Sequence, residues 1–185
     1  MENKDSFFLR ISMNSGAIIG IVLSIYSIIL YKLGMLITSG TGDFINYLIL
    51  LVGLYYTTIS YRNKYTLGFM SYGEALKFGV TVSFLASIVI GFTNYILYRF
   101  IDSSLIDQLF VYQEKVLLDS GRSADEVEEL MKLVRVGTTP GLIFLTTIFR
   151  ITLFGTLISL INSIFLKRNQ NPFDKAMSEI KEDEN

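Results

Sequence analysis

Arg150 is the one charge placed well inside an apolar segment of this chain, LIFLTTIFRITLFGTLISL. A guanidinium in hydrocarbon costs a few kcal/mol on insertion scales and ordinarily faces protein or a water-filled cavity. Two readings follow. Arg150 lines a polar cavity, or its side chain extends toward the outer surface or hydrogen-bonds carbonyls of neighbouring helices. It lies about 15 Å below Pro140 at helical rise, far from Glu74 near the opposite end of another span. The partners at a compatible depth are Asn94, Asp102 and Asp107, and Arg150, Asn94 and Asp102 form the candidate intramembrane polar site. Glu74 and Lys77, spaced i and i+3, have the makings of a proton or ion site. Glu74 also stands three residues after Ser71, the spacing of a capping box, which favours a helix cap at the headgroup level with a local ion pair. Arg99 and Asp102 read as a brace where a span leaves the membrane. Asn14, Asn46, Asn94 and Asn162 are candidates for hydrogen bonds between helices, each worth roughly 1 kcal/mol.

The inventory of side chains excludes much chemistry. With no cysteine and no histidine, thiolate nucleophiles, zinc sites built on those ligands, axial haem histidines and Ser-His-Asp triads are ruled out. No phosphate-binding loop and no paired intramembrane carboxylates occur. The expectation is a protein that is not an enzyme, with no catalytic residue, cofactor or metal ligand. The net charge of -1 and the missing basic stripe argue against nucleic acid as a partner.

These residues sit in long apolar blocks. Half of the 185 residues (51%) are hydrophobic, concentrated in runs long enough to cross a bilayer. We expect an all-α fold: an integral membrane four-helix bundle over residues 1–166, with spans near 11–37, 44–61, 71–98 and 140–166. The first run is about twice a signal-peptide core in length and is read as a retained span. TSGTGD (Thr38–Asp43) reads as a turn in which Gly40 and Gly42 break the helix and Asp43 caps the next one. Tyr55, Tyr56 and Tyr61 suit an interfacial aromatic belt. Thr139 followed by Pro140 starts the last span as N-cap and N1.

Three spans carry rows of small residues at spacing four, the pattern that lets helices approach closely. They are Ser12, Gly16, Gly20 and Ser24; Ala75, Gly79, Ser83, Ser87 and Gly91; and a partial row, Thr147, Gly155, Ser159 and Ser163. The expected helix-packing residues are thus Gly16, Gly20, Gly79, Ser83, Ser87, Gly91, Gly155 and Ser159, and the row on span three is expected to meet those on spans one and four. Between spans three and four, residues 102–136 keep helical periodicity, with Leu105, Leu109, Tyr112 and Val116 on one stripe and Val127, Leu130, Met131 and Val134 on another. Gly121 offers a C-cap, and Ser123 with Glu126 a second capping box. An extramembrane amphipathic helical hairpin is predicted there, and residues 167–185 read as a polar, disordered cytoplasmic tail.

SYGEALKFG, FIDSSLIDQL, GRSADEVEEL and TTPG, in this order, carry a resemblance. The chain resembles the bacterial membrane proteins grouped as the domain of unknown function numbered forty-one ninety-nine, from span one to Leu166. The resemblance implies this architecture and a bacterial inner-membrane location, and it transfers no activity. Basic residues near span ends (Lys4, Arg10, Arg62, Lys64, Lys167, Arg168, Lys175 and Lys181, against Lys32 in the short opposite loop) place both termini in the cytoplasm by the positive-inside rule. Beyond the lipid bilayer, the expected partner is a second copy or another membrane protein, engaged through helix packing and the outer hairpin. The alternative is a small transporter or channel with Arg150 lining a polar cavity.

Overall fold

A computed structural model describes residues 4–37 and 40–168. Among them the chain forms six α-helices and no strand: α1 (Lys4–Lys32), α2 (Gly40–Tyr65), α3 (Tyr72–Ile96), α4 (Ser104–Asp119), α5 (Ala124–Gly137) and α6 (Pro140–Leu166). A π-helical turn, Leu97–Ile101, continues α3. Four segments, Ser6–Lys32, Phe44–Tyr65, Tyr72–Ile101 and Pro140–Leu166, are long and apolar enough to cross a membrane. Together they build a transmembrane helical bundle, and α4 and α5 form the hairpin between the last two.

Local chemistry explains most helix ends. Ser71 and Glu74 close the expected capping box, with Ser71 N–H donating to Glu74 Oε2 at 2.8 Å and Glu74 N–H to Ser71 Oγ at 3.2 Å. Ser123 and Glu126 do the same for α5, and Thr139 with Pro140 opens α6. Gly121, at φ 82°, follows the end of α4. Four ends differ from expectation. The first span begins at Lys4 and stops at Lys32, because Gly34 (φ 66°) turns the chain and lets Met35 N–H reach Leu30 O and Gly34 N–H reach Tyr31 O, a Schellman ending. The second helix starts at Gly40, so Gly42 and Asp43 lie inside its first turn rather than in a breaking turn and a cap; Thr38 and Ser39 fall outside the described residues. The helix also runs on to Tyr65, since Arg62 and Lys64 favour the carbonyl end of a helix. Of the expected tail, only Lys167 and Arg168 are among the described residues.

α3 is the central helix, with α6 packed along one side, α1 along another and α2 more lightly against all three. Lipid removes the hydrophobic drive for helices to associate, so close fit must supply it. The α3 and α6 rows interlock. A Cβ on Gly79 would run into Ser159, and one on Gly155 into Ser83, so each serine fills the notch left by a glycine opposite. Their hydroxyls are satisfied by the turn before them, Ser83 to Gly79 O and Ser159 to Gly155 O, both at 2.7 Å. Ser87 and Thr152 add a hydroxyl contact across the pair at 3.2 Å.

The row on α1 also packs on α3, but against a different face from the one expected. A Cβ on Gly16 would stand 2.6 Å from Leu85 Cβ and 3.1 Å from Val82 O, and one on Gly20 would stand 2.6 Å from Val89 Cβ. The physical reason is that one helical stripe is too narrow to receive two helices. α6 occupies the small row of α3, so α1 sets its glycines against branched residues alongside it. Near the chain termini the bundle is closed by apolar packing. Phe78, Leu54, Leu50 and Val82 are at most 1% exposed, and the Tyr61 and Phe78 rings stack at 4.3 Å with Phe8 edge-on to both.

Candidate functional site

At the hairpin end the same spans separate around a polar cavity of about 180 Å3. Every span contributes a hydrogen-bonding side chain to its wall: Ser27 from α1, Asn46 from α2, Asn94 from α3, and Thr147 and Arg150 from α6. Tyr98 reaches it from the π turn and Tyr112 from α4, which lies across the hairpin end of the bundle. Leu23, Ile90 and Ile151 line the side that adjoins the apolar core. The cavity is therefore blind, since the packed Leu50, Leu54, Phe78 and Val82 follow it toward the termini.

Local structure fixes several of these groups. Ser27 donates to Asn94 Oδ1 at 3.1 Å, tying α1 to α3 and leaving the Asn94 NH2 the role of donor. One turn away on α1, Ser24 accepts from Thr93 at 2.8 Å. Thr147 donates to Ile143 O at 2.7 Å. Among the described residues that line the cavity, Arg150 alone carries a formal charge, and it is an exposed residue.

Of the three expected site residues, Arg150 and Asn94 share this cavity. Asp102 belongs to a neighbouring one of about 330 Å3, whose wall includes Tyr31, Lys32 and Gln108. Its carboxylate accepts from Tyr31 OH at 3.4 Å and, through Oδ1, from Ser104 N–H at 3.0 Å and Ser104 Oγ at 2.6 Å, so it organises the start of α4. The π turn explains the departure. Its wider winding carries Asp102 N–H to Leu97 O at 2.9 Å, the i to i+5 bond, and takes Asp102 off the face it would share with Arg99 in an α-helix. The expected Arg99–Asp102 brace does not form among the described residues. Nor does a Glu74–Lys77 bridge: Glu74 is held by the cap, and Lys77 Nζ lies 5.0 Å from the centre of the Phe8 ring. Asp107 lines a third space, an apolar groove of about 740 Å3 along α4. Among the described residues no group of three or more acidic side chains could hold a metal ion.

Sequence reasoning placed Ser27 nowhere, took Asn46 for a helix-packing group, Thr147 for part of a small row and Tyr112 for part of an amphipathic stripe. Nothing local marks them, because the cavity exists only where four helices and α4 converge. Periodicity gives the one usable signal: Asn94 on α3 and Tyr98 on the π turn that continues it are four residues apart, and Thr147 and Arg150 share a face of α6.

The family model described as "Protein of unknown function (DUF4199)" matches residues 14–168. No curated protein and no solved structure matches the chain. The match runs from within α1 through the hairpin to the end of α6, and the chain belongs to this family.

Proposed function

We propose that this member of the DUF4199 family is a non-enzymatic, multi-pass protein of a bacterial cytoplasmic membrane that holds a small polar ligand in the cavity around Arg150. Both termini face the cytoplasm in this reading, so the cavity opens toward the outer side beneath the hairpin; the basic residues near the span ends support that orientation. The observation that carries the proposal is the convergence of hydrogen-bonding side chains from every span on a single blind cavity. A blind cavity suits binding rather than continuous conduction, and hydrogen-bonding groups set among apolar walls are the usual make-up of a small-molecule site.

The absence of cysteine makes a direct test simple. N94C and T147C in sealed proteoliposomes are expected to react with a small, membrane-impermeant thiol reagent from the hairpin side, while L54C and V82C resist it from either side. Silence at the first two positions rejects a solvent-connected cavity, and equal reaction at V82C converts the reading into an open channel.

A second reading, association through the hairpin, is favoured by one observation. Leu133 and Val136, on one side of α5, are 69% and 78% exposed, whereas the small-residue rows are consumed inside the bundle. Crosslinking in native membranes tests it: a multimer that L133E abolishes supports this reading, and a monomer without a partner rejects it.

A further inference from the structure

The pocket of about 330 Å3 beside the Arg150 cavity lies at the edge of the membrane. Two of the membrane-spanning segments end on it, the first at Lys32 and the third at Ile101, one residue before Asp102. Its polar wall is made by Tyr31, Lys32, Asp102 and Gln108, and Gly34 with three aliphatic side chains completes it. Lys32, Gly34 and Gln108 are exposed, so the pocket is reached from outside the bundle. A cation and an anion share this wall, yet among the described residues neither joins an ion pair. Lys32 Nζ rests 5.7 Å from the centre of the Tyr31 ring. The hydrogen bonds around Asp102 run in one direction. Gln108 Nε2 donates to Ser104 Oγ at 3.1 Å, and Ser104 donates through Oγ and N–H to Asp102 Oδ1 at 2.6 and 3.0 Å. Oδ2 receives Tyr31 OH at 3.4 Å, well beyond the usual length of an O–H···O bond. An ionised carboxylate has about four acceptor positions, so Oδ2 keeps room for a short bond, and the Gln108 carbonyl oxygen keeps its own. Apart from the Lys32 ammonium, the group retains more acceptors than donors.

We propose that this pocket holds the head of a phosphoethanolamine lipid, a site separate from the Arg150 cavity. The primary ammonium donates to Asp102 Oδ2 and the Gln108 carbonyl, and the phosphate accepts from the Lys32 ammonium, both charge-assisted bonds. Acceptors left over beside a carboxylate call for a ligand that brings N–H donors and positive charge; the nearby lysine calls for an anion on the same ligand. A choline head has no N–H to give, a glycerol head brings no positive charge, and a serine head adds a carboxylate that Asp102 repels. The surroundings favour a lipid over a free zwitterion. On α1, Ile28 and Ile29 lie one turn before Lys32 on its own side of the helix. Phe100 and Ile101 precede Asp102 at the close of the third span, and all four are exposed apolar surface for acyl chains.

The chain has no tryptophan, so I28W places a unique fluorophore one turn below Lys32, and F149W gives a control on an exposed position of α6. Both variants, in phosphatidylcholine nanodiscs, receive increasing fractions of phosphatidylethanolamine with brominated acyl chains, which quench indole on contact, or of phosphatidylcholine brominated in the same way. At I28W the ethanolamine lipid is expected to reach half-quenching at a mole fraction about tenfold lower than the choline lipid, the scale of a charge-assisted hydrogen bond. At F149W the two quench alike. In the I28W background K32Q and D102N each remove the preference. K32Q changes an exposed side chain outside the start of α4, so it keeps the test decisive if D102N disturbs the hairpin. Equal quenching by the two lipids at I28W, or a preference that K32Q leaves unchanged, overturns the proposal. Soluble phosphoethanolamine in excess separates the two sources of this head. Brominated lipid that stays in place supports the lipid as occupant, and its displacement overturns that occupant in favour of the free zwitterion.

Discussion

Gly79 faces Ser159 and Gly155 faces Ser83, so a methyl group added to either glycine meets a serine on the opposite helix. G79A and G155A are each expected to cost about 1 to 3 kcal/mol, the usual range for overpacking, read as a lower midpoint of thermal unfolding in detergent. G141A is the contrast. Its added Cβ meets nothing within 4 Å, and alanine is the better helix former, so the midpoint stays level or rises. Ser12 offers the opposite case. Its Oγ is buried with no hydrogen-bond partner, and an unsatisfied buried polar group costs about 1 to 3 kcal/mol. S12A should raise the same midpoint. The glycine positions were legible as a row in the sequence, but Ser12 looked no different from the serines whose hydroxyls find a carbonyl one turn back.

At the scale of the element, the caps are where local sequence and structure agree most closely. Ser71, Ser123 and Thr139 each accept a backbone N–H in the first turn of the helix they start. S123A should therefore cost about 1 kcal/mol, concentrated in α5. Amide exchange over Ala124–Gly137 is expected to speed up while α3 and α6 keep their protection, and uniform acceleration across all helices would contradict the assignment. Helix exits were harder to read. The end of α1 depends on Gly34 accepting a positive φ, and the π turn after Ile96 has no composition of its own. Its neighbours fix it: Leu97 and Tyr98 are buried against Leu105, with Tyr31, Leu36 and Ile143 packed around them. The far end of the bundle is tied differently. Arg62 Nη1 donates to Leu166 O at 3.1 Å, and Met70 and Arg168 exchange backbone hydrogen bonds of 3.0 and 2.8 Å, so the loop between α2 and α3 clasps the end of α6.

For the whole molecule, the central position of α3 has a functional consequence. One helix serves the interlocked packing with α6, the contact with α1 and, at its far end, the wall of the polar cavity. The bundle can be tight near the termini and open near the hairpin because apolar rings fill the first region and polar side chains of modest size line the second. Orientation is tested at this scale. With a membrane-impermeant thiol reagent added to intact cells, R122C on the hairpin is expected to label and K64C between α2 and α3 to stay silent; the reverse pattern would invert the topology argued from the basic residues.

Hydropathy and capping need only neighbours along the chain, and on those terms the sequence by itself determined four apolar helices, an amphipathic hairpin and the starts of α3, α5 and α6. It also singled out Arg150, since a charge in an apolar run is conspicuous without any fold. Only the tertiary structure decided which stripe of α3 receives α6 and which receives α1, because that choice depends on how three surfaces share one cylinder. It likewise separated Asp102 from Arg150, through a π turn that no local preference announces. Ser27 and Asn94 are 67 positions apart, and their meeting beside Arg150 is a property of the packed bundle, where distance along the chain no longer measures distance in space.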